Sequence, residues 1–129
     1  MSKIRVLLVD DNDLLTMAMQ ETVDLEDDME CVGCLDRADT LPETVAEKTP
    51  QVVLLDLQMP GRDSLTAMQE VVAAKPEVRF IVCSGYADGE LVDRAVSLGA
   101  WGFVMKNGDI DAMLNAIRRV AAGEMSLPG

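Results

Sequence analysis

Histidine is absent from the 129 residues. That removes Ser-His and Cys-His catalysis and the commonest zinc ligand in one observation. Cations are scarce, with 11 Lys and Arg against 23 Asp and Glu, for a formal net charge of −12. Direct binding to nucleic acid or to an anionic membrane needs clustered Lys and Arg, so the balance argues against both. It favours basic partner surfaces and divalent cations. No apolar run approaches the length of a membrane span, and no signal-peptide pattern opens the chain. Three cysteines in that setting fit a reducing cytosol, so a cytoplasmic protein is expected. Internal repeats and low-complexity segments are also missing.

What is present suffices for one domain with a single core, and about half of the residues are apolar, which argues against disorder. Cys31 and Cys34 form a C-x-x-C. It reads either as a redox pair or half a metal site, or as two small strand residues. Three positions along a regular strand point side chains to opposite faces, so the second reading is expected.

The densest apolar stretch is Val52-Val53-Leu54-Leu55, which ends on Asp56 and then on a Pro60-Gly61 turn. It reads as a strand buried on both faces of a parallel sheet. A first strand spans Ile4 to Val9 and is followed by Asp10-Asp11-Asn12-Asp13. A helix from about Leu14 to Leu25 follows, capped by Asn12 or Asp13, with Leu14, Met17, Ala18 and Val23 as its buried face. Five acids fall between Asp24 and Glu30, which reads as a solvated loop without a further role. Cys31 to Leu35 is a short second strand, and Thr40 to Lys48 a weak helix with Pro42 in its first turn and Pro50 marking its exit.

Ser64 to Ala74 is a third helix, with Leu65, Met68, Val71 and Val72 at helical spacing. Phe80 to Cys83 is a fourth strand ending at Ser84-Gly85. Glu90 to Leu98 is a helix stopped by Gly99. Gly102 to Met105 is a fifth strand, followed at once by Lys106. The last helix runs from about Ile110 to Ala122, with Ile110, Met113, Leu114, Ile117 and Val120 as its stripe and Gly123 as its cap. The nine methionines fall mostly at helical core spacing. Strand and helix alternate five times, which implies an α/β fold with a five-stranded parallel sheet and helices on both faces.

Four strands end on residues able to do chemistry: Asp10 and Asp11, Asp56, Ser84 and Lys106. In a parallel sheet these ends share one edge, where open α/β sheets bind ligands. Neighbouring strands lie roughly 4.8 Å apart, so the groups can share a pocket. Three carboxylates against one lysine leave surplus negative charge, which a hard cation such as Mg²⁺ relieves. A carboxylate can act as nucleophile and form an acyl phosphate. Magnesium and the lysine would neutralise the phosphoryl charge, and Ser84 could hydrogen-bond one of its oxygens. Taken singly each residue has a plainer role: helix cap, strand end, turn, surface cation. Their joint placement favours one site.

Val9-Asp10-Asp11, Asp56-Leu57-Gln58-Met59-Pro60-Gly61, Cys83-Ser84-Gly85 and Gly102-Phe103-Val104-Met105-Lys106 together resemble the receiver domain of bacterial two-component response regulators. The likeness covers Ile4 to about Gly123. Leu98 to Phe103 and Arg118 to Gly123 are similar to the NarL/LuxR-type subfamily. The resemblance implies a flavodoxin-like, CheY-like doubly wound sheet of order 2-1-3-4-5. It also implies a regulatory domain in place of a conventional enzyme. Asp56 would accept a phosphoryl group from a histidine kinase. Asp10, Asp11, Asp56 and the Gln58 backbone carbonyl would hold Mg²⁺, Asp11 directly. Lys106 and Ser84 would meet the phosphoryl group, and Phe103 would turn inward as Ser84 shifts. The face made by the fourth helix, fifth strand and fifth helix would then change its partner affinity.

Residues 1–129 are expected to be a single receiver, with 124–129 a linker or tail. Subfamily members usually carry a C-terminal helix-turn-helix domain, so the expected output is transcription, with DNA contacted only through that domain. Arg118 and Arg119 offer a surface for dimerisation on phosphorylation. Four departures from the common pattern bear on this: Asn107 after Lys106 where many receivers have proline, Ser64 where glycine is frequent, Phe103 without a hydroxyl, and Gln58 with Tyr86 at the positions that tune acyl-phosphate lifetime. Trp101 reads as surface packing. The alternatives are a pseudo-receiver or single-domain receiver acting as a protein-interaction module, and a flavin- or nucleotide-binding enzyme on the same architecture. The second lacks a Gly-rich phosphate fingerprint after the first strand, and the Asp10-Asp11 loop would repel phosphate.

Overall fold

A computed structural model describes residues 2–59, 61–85, 88–106 and 108–128. The elements run β1 (Ile4–Val9), α1 (Asp13–Asp24), β2 (Met29–Leu35), α2 (Leu41–Lys48), β3 (Val52–Asp56), α3 (Ser64–Ala74), β4 (Arg79–Ser84), α4 (Gly89–Ser97), β5 (Gly102–Met105) and α5 (Ile110–Ala121). All strand pairs are parallel, in the order β2-β1-β3-β4-β5. The expected doubly wound order is therefore present.

Alternate residues of each central strand feed two cores. Leu7, Val9, Val53, Leu55, Phe80, Val82 and Phe103 pack with Leu41 and Val45 of α2, Leu65, Met68 and Val71 of α3, and Ala95 of α4. Val6, Leu8, Val52, Leu54, Ile81 and Cys83 pack with Met19 and Val23 of α1 and Met113, Leu114, Ile117 and Val120 of α5. Burial on both faces is why these strands read as unbroken apolar runs. Side-chain carboxylates or amides cap four helices: Asn12 accepts from the Leu15 N–H, Asp63 from Thr66, Asp88 from Leu91 and Asp109 from Asp111. Gly99 ends the turn after α4 at φ +117°, a backbone that side chains rarely adopt.

Helix α1 buries a different face from the one expected. Leu14 is 81% exposed and Met17 60%, and Ala18 is exposed too. The inner face is Leu15, Thr16, Met19 and Val23. Thr16 can occupy it because its hydroxyl donates to the Asn12 carbonyl at 2.9 Å. A satisfied hydroxyl costs little to bury, and a polar residue inside the stripe is what misdirects a count of apolar positions.

Strand β2 starts two residues before the expected Cys31, because Met29 pairs with Ile4 and Glu30 with Arg5. The Arg5 guanidinium donates to Glu30 at 3.1 Å. The register then slips: Val6 pairs with Cys31 but Leu7 with Gly33, leaving Val32 as a bulge. Cys31 and Cys34 therefore do not point to opposite faces; their sulfurs lie 3.8 Å apart.

The acidic run also has a structural role. Arg118 reaches back from α5 to donate to Glu26 at 2.6 Å and to Asp28 at 2.8 Å. Asp24 accepts from the Cys31 N–H at 2.8 Å. Ile110, expected in the α5 stripe, is exposed, whereas the other four are buried. Met19, Met29, Met68 and Met113 fill the core, while Met17, Met105 and Met125 are exposed.

Beyond α5 the tail runs along the outer edge of β5. The Phe103 N–H donates to the Ser126 carbonyl at 2.9 Å, and the Ser126 N–H to the Trp101 carbonyl at 3.0 Å. Those bonds cover part of an edge that would otherwise stay open. Trp101 is half-buried, with the Arg79 guanidinium 4.6 Å from its ring centre. The readings that concern Pro60, Tyr86 and Asn107 lie outside the described residues.

Candidate functional site at the carboxyl edge of the sheet

Strand β1 ends at Val9, and the next residue, Asp10, is pinned by its own backbone. Its N–H donates to the Leu35 carbonyl of β2 at 2.9 Å. Its side-chain Oδ1 accepts from the Asn12 N–H at 2.9 Å. One strand over, Asp56 is the last residue of β3, and its Oδ1 accepts from the Gln58 N–H at 3.0 Å. Asp10 is 6% exposed and Asp56 1%. Each carboxylate is thus held by the loop that leaves its own strand.

Lys106 follows β5, and its backbone N–H donates to the Ser84 carbonyl at 2.8 Å. That tie brings Nζ back over the sheet edge, 3.0 Å from Asp56 Oδ2 and 3.4 Å from Asp10 Oδ2. Burial alone would lower the pKa of this ammonium. The hydrogen bond that Nζ donates to Asp56 and the charges of both carboxylates outweigh it, so the net shift is upward. Asp10 moves upward as well. Burial is the main cause and the Asp56 charge adds to it, against the Asn12 N–H and Lys106, which pull it down.

Asp11 completes the cluster from the exposed side. Carboxylate oxygens of Asp10, Asp11 and Asp56 all lie within 4.8 Å of one another. Three hard anionic donors converge, and the two buried ones, Asp10 and Asp56, are paired with Lys106. That donor set suits a small divalent cation, which takes a few carboxylates and keeps several waters.

Ser84 ends β4 buried, paired with Met105 of β5, while Asp56 pairs with Cys83. A cleft of about 190 Å³ opens beside Ser84, lined by Gln58, Asp63, Leu91 and Arg94 among others. Phe103 is buried in the α3–α4 core. Asp10, Asp11, Asp56, Gln58, Ser84 and Lys106 therefore stand at or beside one edge, whereas Phe103 lies in the core. Gln58 is exposed next to Asp56.

Sequence reasoning missed the parts that act through backbone. The Leu35 carbonyl and the Asn12 N–H hold Asp10, and neither carries a side-chain signal. Thr16, whose hydroxyl also lies 3.4 Å from the Asp10 carbonyl, did leave one: a polar residue inside an apolar helix stripe.

The fold and this site define the class: a flavodoxin-like α/β domain whose working edge is an acidic, lysine-paired cleft. Residues 6–118 match the family model of the response regulator receiver domain, and the chain belongs to that family. Its members are regulatory domains of two-component systems.

Among curated relatives it is 28% identical to the transcriptional regulatory protein DegU of Brevibacillus brevis, over 95% of this chain and 52% of that one. It is 30% identical to the response regulator GacA of Pseudomonas aeruginosa, over 94% of this chain and 56% of that one. The chain thus spans a little over half the length of these relatives.

Of solved structures, the signal receiver domain of the response regulator NarL from Mycobacterium tuberculosis superposes with a TM-score of 0.90. Identity is 27%, with 96% of this chain and 100% of that one covered. A LuxR-family regulator from Aurantimonas shares the fold at a TM-score of 0.91 and 23% identity, covering 97% of this chain and 89% of that one. The NarL/LuxR-type likeness read in the sequence is borne out by these neighbours. Among the described residues, no helix is long and apolar enough to cross a membrane.

Proposed function

We propose that this receiver is a phosphorylation switch in which Asp56 accepts a phosphoryl group from a histidine kinase. The observation that carries the reading is the position of Lys106 Nζ, within 3.4 Å of both buried carboxylates. An Asp56 oxygen attacks phosphorus, the bond from phosphorus to the kinase imidazole breaks, and the leaving imidazole keeps the electron pair. Lys106 moves its charge onto the incoming phosphoryl oxygens. Ser84 hydrogen-bonds one of them.

Asp10, Asp11, Asp56 and the Gln58 backbone carbonyl are the residues that would hold Mg²⁺. When bound, the ion supplies positive charge for the transferring oxygens.

The cleft beside Ser84 gives that residue a place to readjust, Phe103 turns with it, and α4, β5 and α5 carry the change outward. The tail bonded to β5 at Phe103 lies on this route. Relatives such as DegU are transcriptional regulatory proteins by name, which supports transcription as the output; the reading places it in the cytoplasm, through a C-terminal DNA-binding domain. Dimerisation on phosphorylation would use the α5 surface around Arg119, since Arg118 is engaged by Glu26 and Asp28.

The test is intact mass after incubation with a small phosphodonor and Mg²⁺, with Trp101 emission followed in parallel. One Mg²⁺-dependent phosphate, absent from Asp56→Asn, is the expected result. No adduct, under conditions that label a known receiver, overturns the reading in favour of a pseudo-receiver that acts as an interaction module.

A further inference from the structure

The C-x-x-C that a regular strand would split is reassembled by the β2 bulge. Cys31 and Cys34 pair with Val6 and Leu8 of β1, two residues apart. At about 3.3 Å per residue, their Cα atoms are therefore separated by about 6.6 Å. Both thiols face the cleft between α1 and β2, with Sγ atoms 3.8 Å apart. Cys34 Sγ also lies 3.7 Å from the Gln20 side-chain oxygen of α1, and Cys31 Sγ lies 3.3 Å from the Gly33 carbonyl. Cys34 is exposed and Cys31 half-buried, whereas Cys83 is buried.

We propose that Cys31 and Cys34 are a redox-closable dithiol, oxidised to an intrachain disulfide by a low-molecular-weight disulfide. The Cα separation lies near the upper end of the range a disulfide accepts, roughly 4.4–6.8 Å. Side-chain rotation must bring the sulfurs about 1.8 Å closer, from 3.8 Å to a bond of about 2.05 Å. Cys34 is exposed, so a bond closed there is open to attack by a reducing thiol, which makes the closure reversible.

Cys34, the accessible thiol, loses its proton and attacks one sulfur of the oxidant. That S–S bond breaks, a mixed disulfide forms, and one small thiol leaves. Cys31 then loses its proton, attacks the Cys34 sulfur and expels the second small thiol. Two protein thiols are oxidised by two electrons, one disulfide is reduced to two thiols, and the protons end on the leaving thiols.

Burial pushes the Cys31 thiol up to about 12, and Cys34 upward too, with the Asp24 charge adding to both. Closure is therefore slow near neutrality. The product carries no charge to bury.

This site does not depend on the chemistry of Asp56, so the two readings fail separately. The experiment is incubation of the whole reduced chain with excess glutathione disulfide at mildly alkaline pH. Intact mass and non-reducing peptide mapping then read the product. Iodoacetamide added at the end must leave Cys83 unmodified, which shows that the fold is intact. The parent should lose two hydrogens without an adduct, link Cys31 to Cys34, and recover with dithiothreitol. The Cys31→Ser variant should stop at one glutathione on Cys34. A stable glutathione adduct on the parent's Cys34, or disulfide-linked dimers without the intrachain bond, would overturn the proposal.

Discussion

Replacing Lys106 with methionine keeps most of the stem and removes one charge. Its Nζ meets Asp56 at 3.0 Å and Asp10 at 3.4 Å, and the two carboxylates are almost fully buried. At an effective dielectric of about 20, each contact is worth about 5 kcal/mol of gross attraction. Most of that is offset by the cost of desolvating the ions. The net effect is dominated by what the substitution leaves behind, two buried like charges without their cation. Breaking a buried pair in this way costs about 3 kcal/mol.

At a urea slope of about 1.5 kcal/mol per M, the midpoint should fall by about 2 M in chelator at pH 7. Mg²⁺ should recover part of the loss, because it supplies the missing charge to the same oxygens.

The pH dependence is fixed by the direction of the lysine shift. The folded-state pKa of Lys106 is raised above 10.5. Its contribution is therefore complete below 10.5 and is lost as pH rises through the folded value. The gap between parent and variant should stay level from pH 7 to pH 10 and close only above that. A loss under about 1 kcal/mol in chelator, or a gap that closes between pH 7 and 9, would refute the reasoning.

Asp10→Asn should behave in the opposite sense. The folded pKa of Asp10 is raised, chiefly by burial, so the carboxyl contributes stability that is present below 3.8 and lost as pH rises through its folded value. The variant should melt higher than the parent at pH 7 in chelator, lose that advantage below pH 3.8, and respond less to Mg²⁺. Arg118→Ala should cost about 1 kcal/mol, because the bonds to Glu26 and Asp28 are partly exposed, and the difference should shrink in high salt in thermal melts. Gly99→Ala places a Cβ 3.2 Å from Val72 at φ +117° and should cost on the order of 1–3 kcal/mol by urea unfolding.

The fold was legible because both faces of the sheet are covered. A strand buried on two sides must be apolar along its buried run, so Val6 to Val9 and Val52 to Leu55 declare themselves without any need to assign inner and outer residues. The chemical residues were legible for a related reason. They stand where those runs stop, and parallel topology gathers the stops on one edge. Where a face had to be chosen, the reading failed. In α1 the apolar residues Leu14 and Met17 point to solvent, while Thr16 faces inward. No count of hydrophobic positions could favour that arrangement without the carbonyls of Asp10 and Asn12 to satisfy the hydroxyl.

The bulge at Val32 shows the same limit in a strand, and its consequence is larger. Period-two alternation assigns faces only while the register is unbroken, and one extra residue reverses every assignment after it. Gly33 sits at the slip, where a Cβ would meet the Leu7 side chain at 3.2 Å. Glycine at that position lets β2 approach β1 closely enough to resume pairing at Leu7. The resumed register then does two things at once. It returns Cys34 to the face of Cys31, and it sets the Leu35 carbonyl opposite the Asp10 N–H. The position of a buried carboxylate at the working edge and the meeting of two thiols in the neighbouring cleft thus follow from one unpaired residue. A chain lacking Val32 would have to give up one of these pairings or rebuild the strand end.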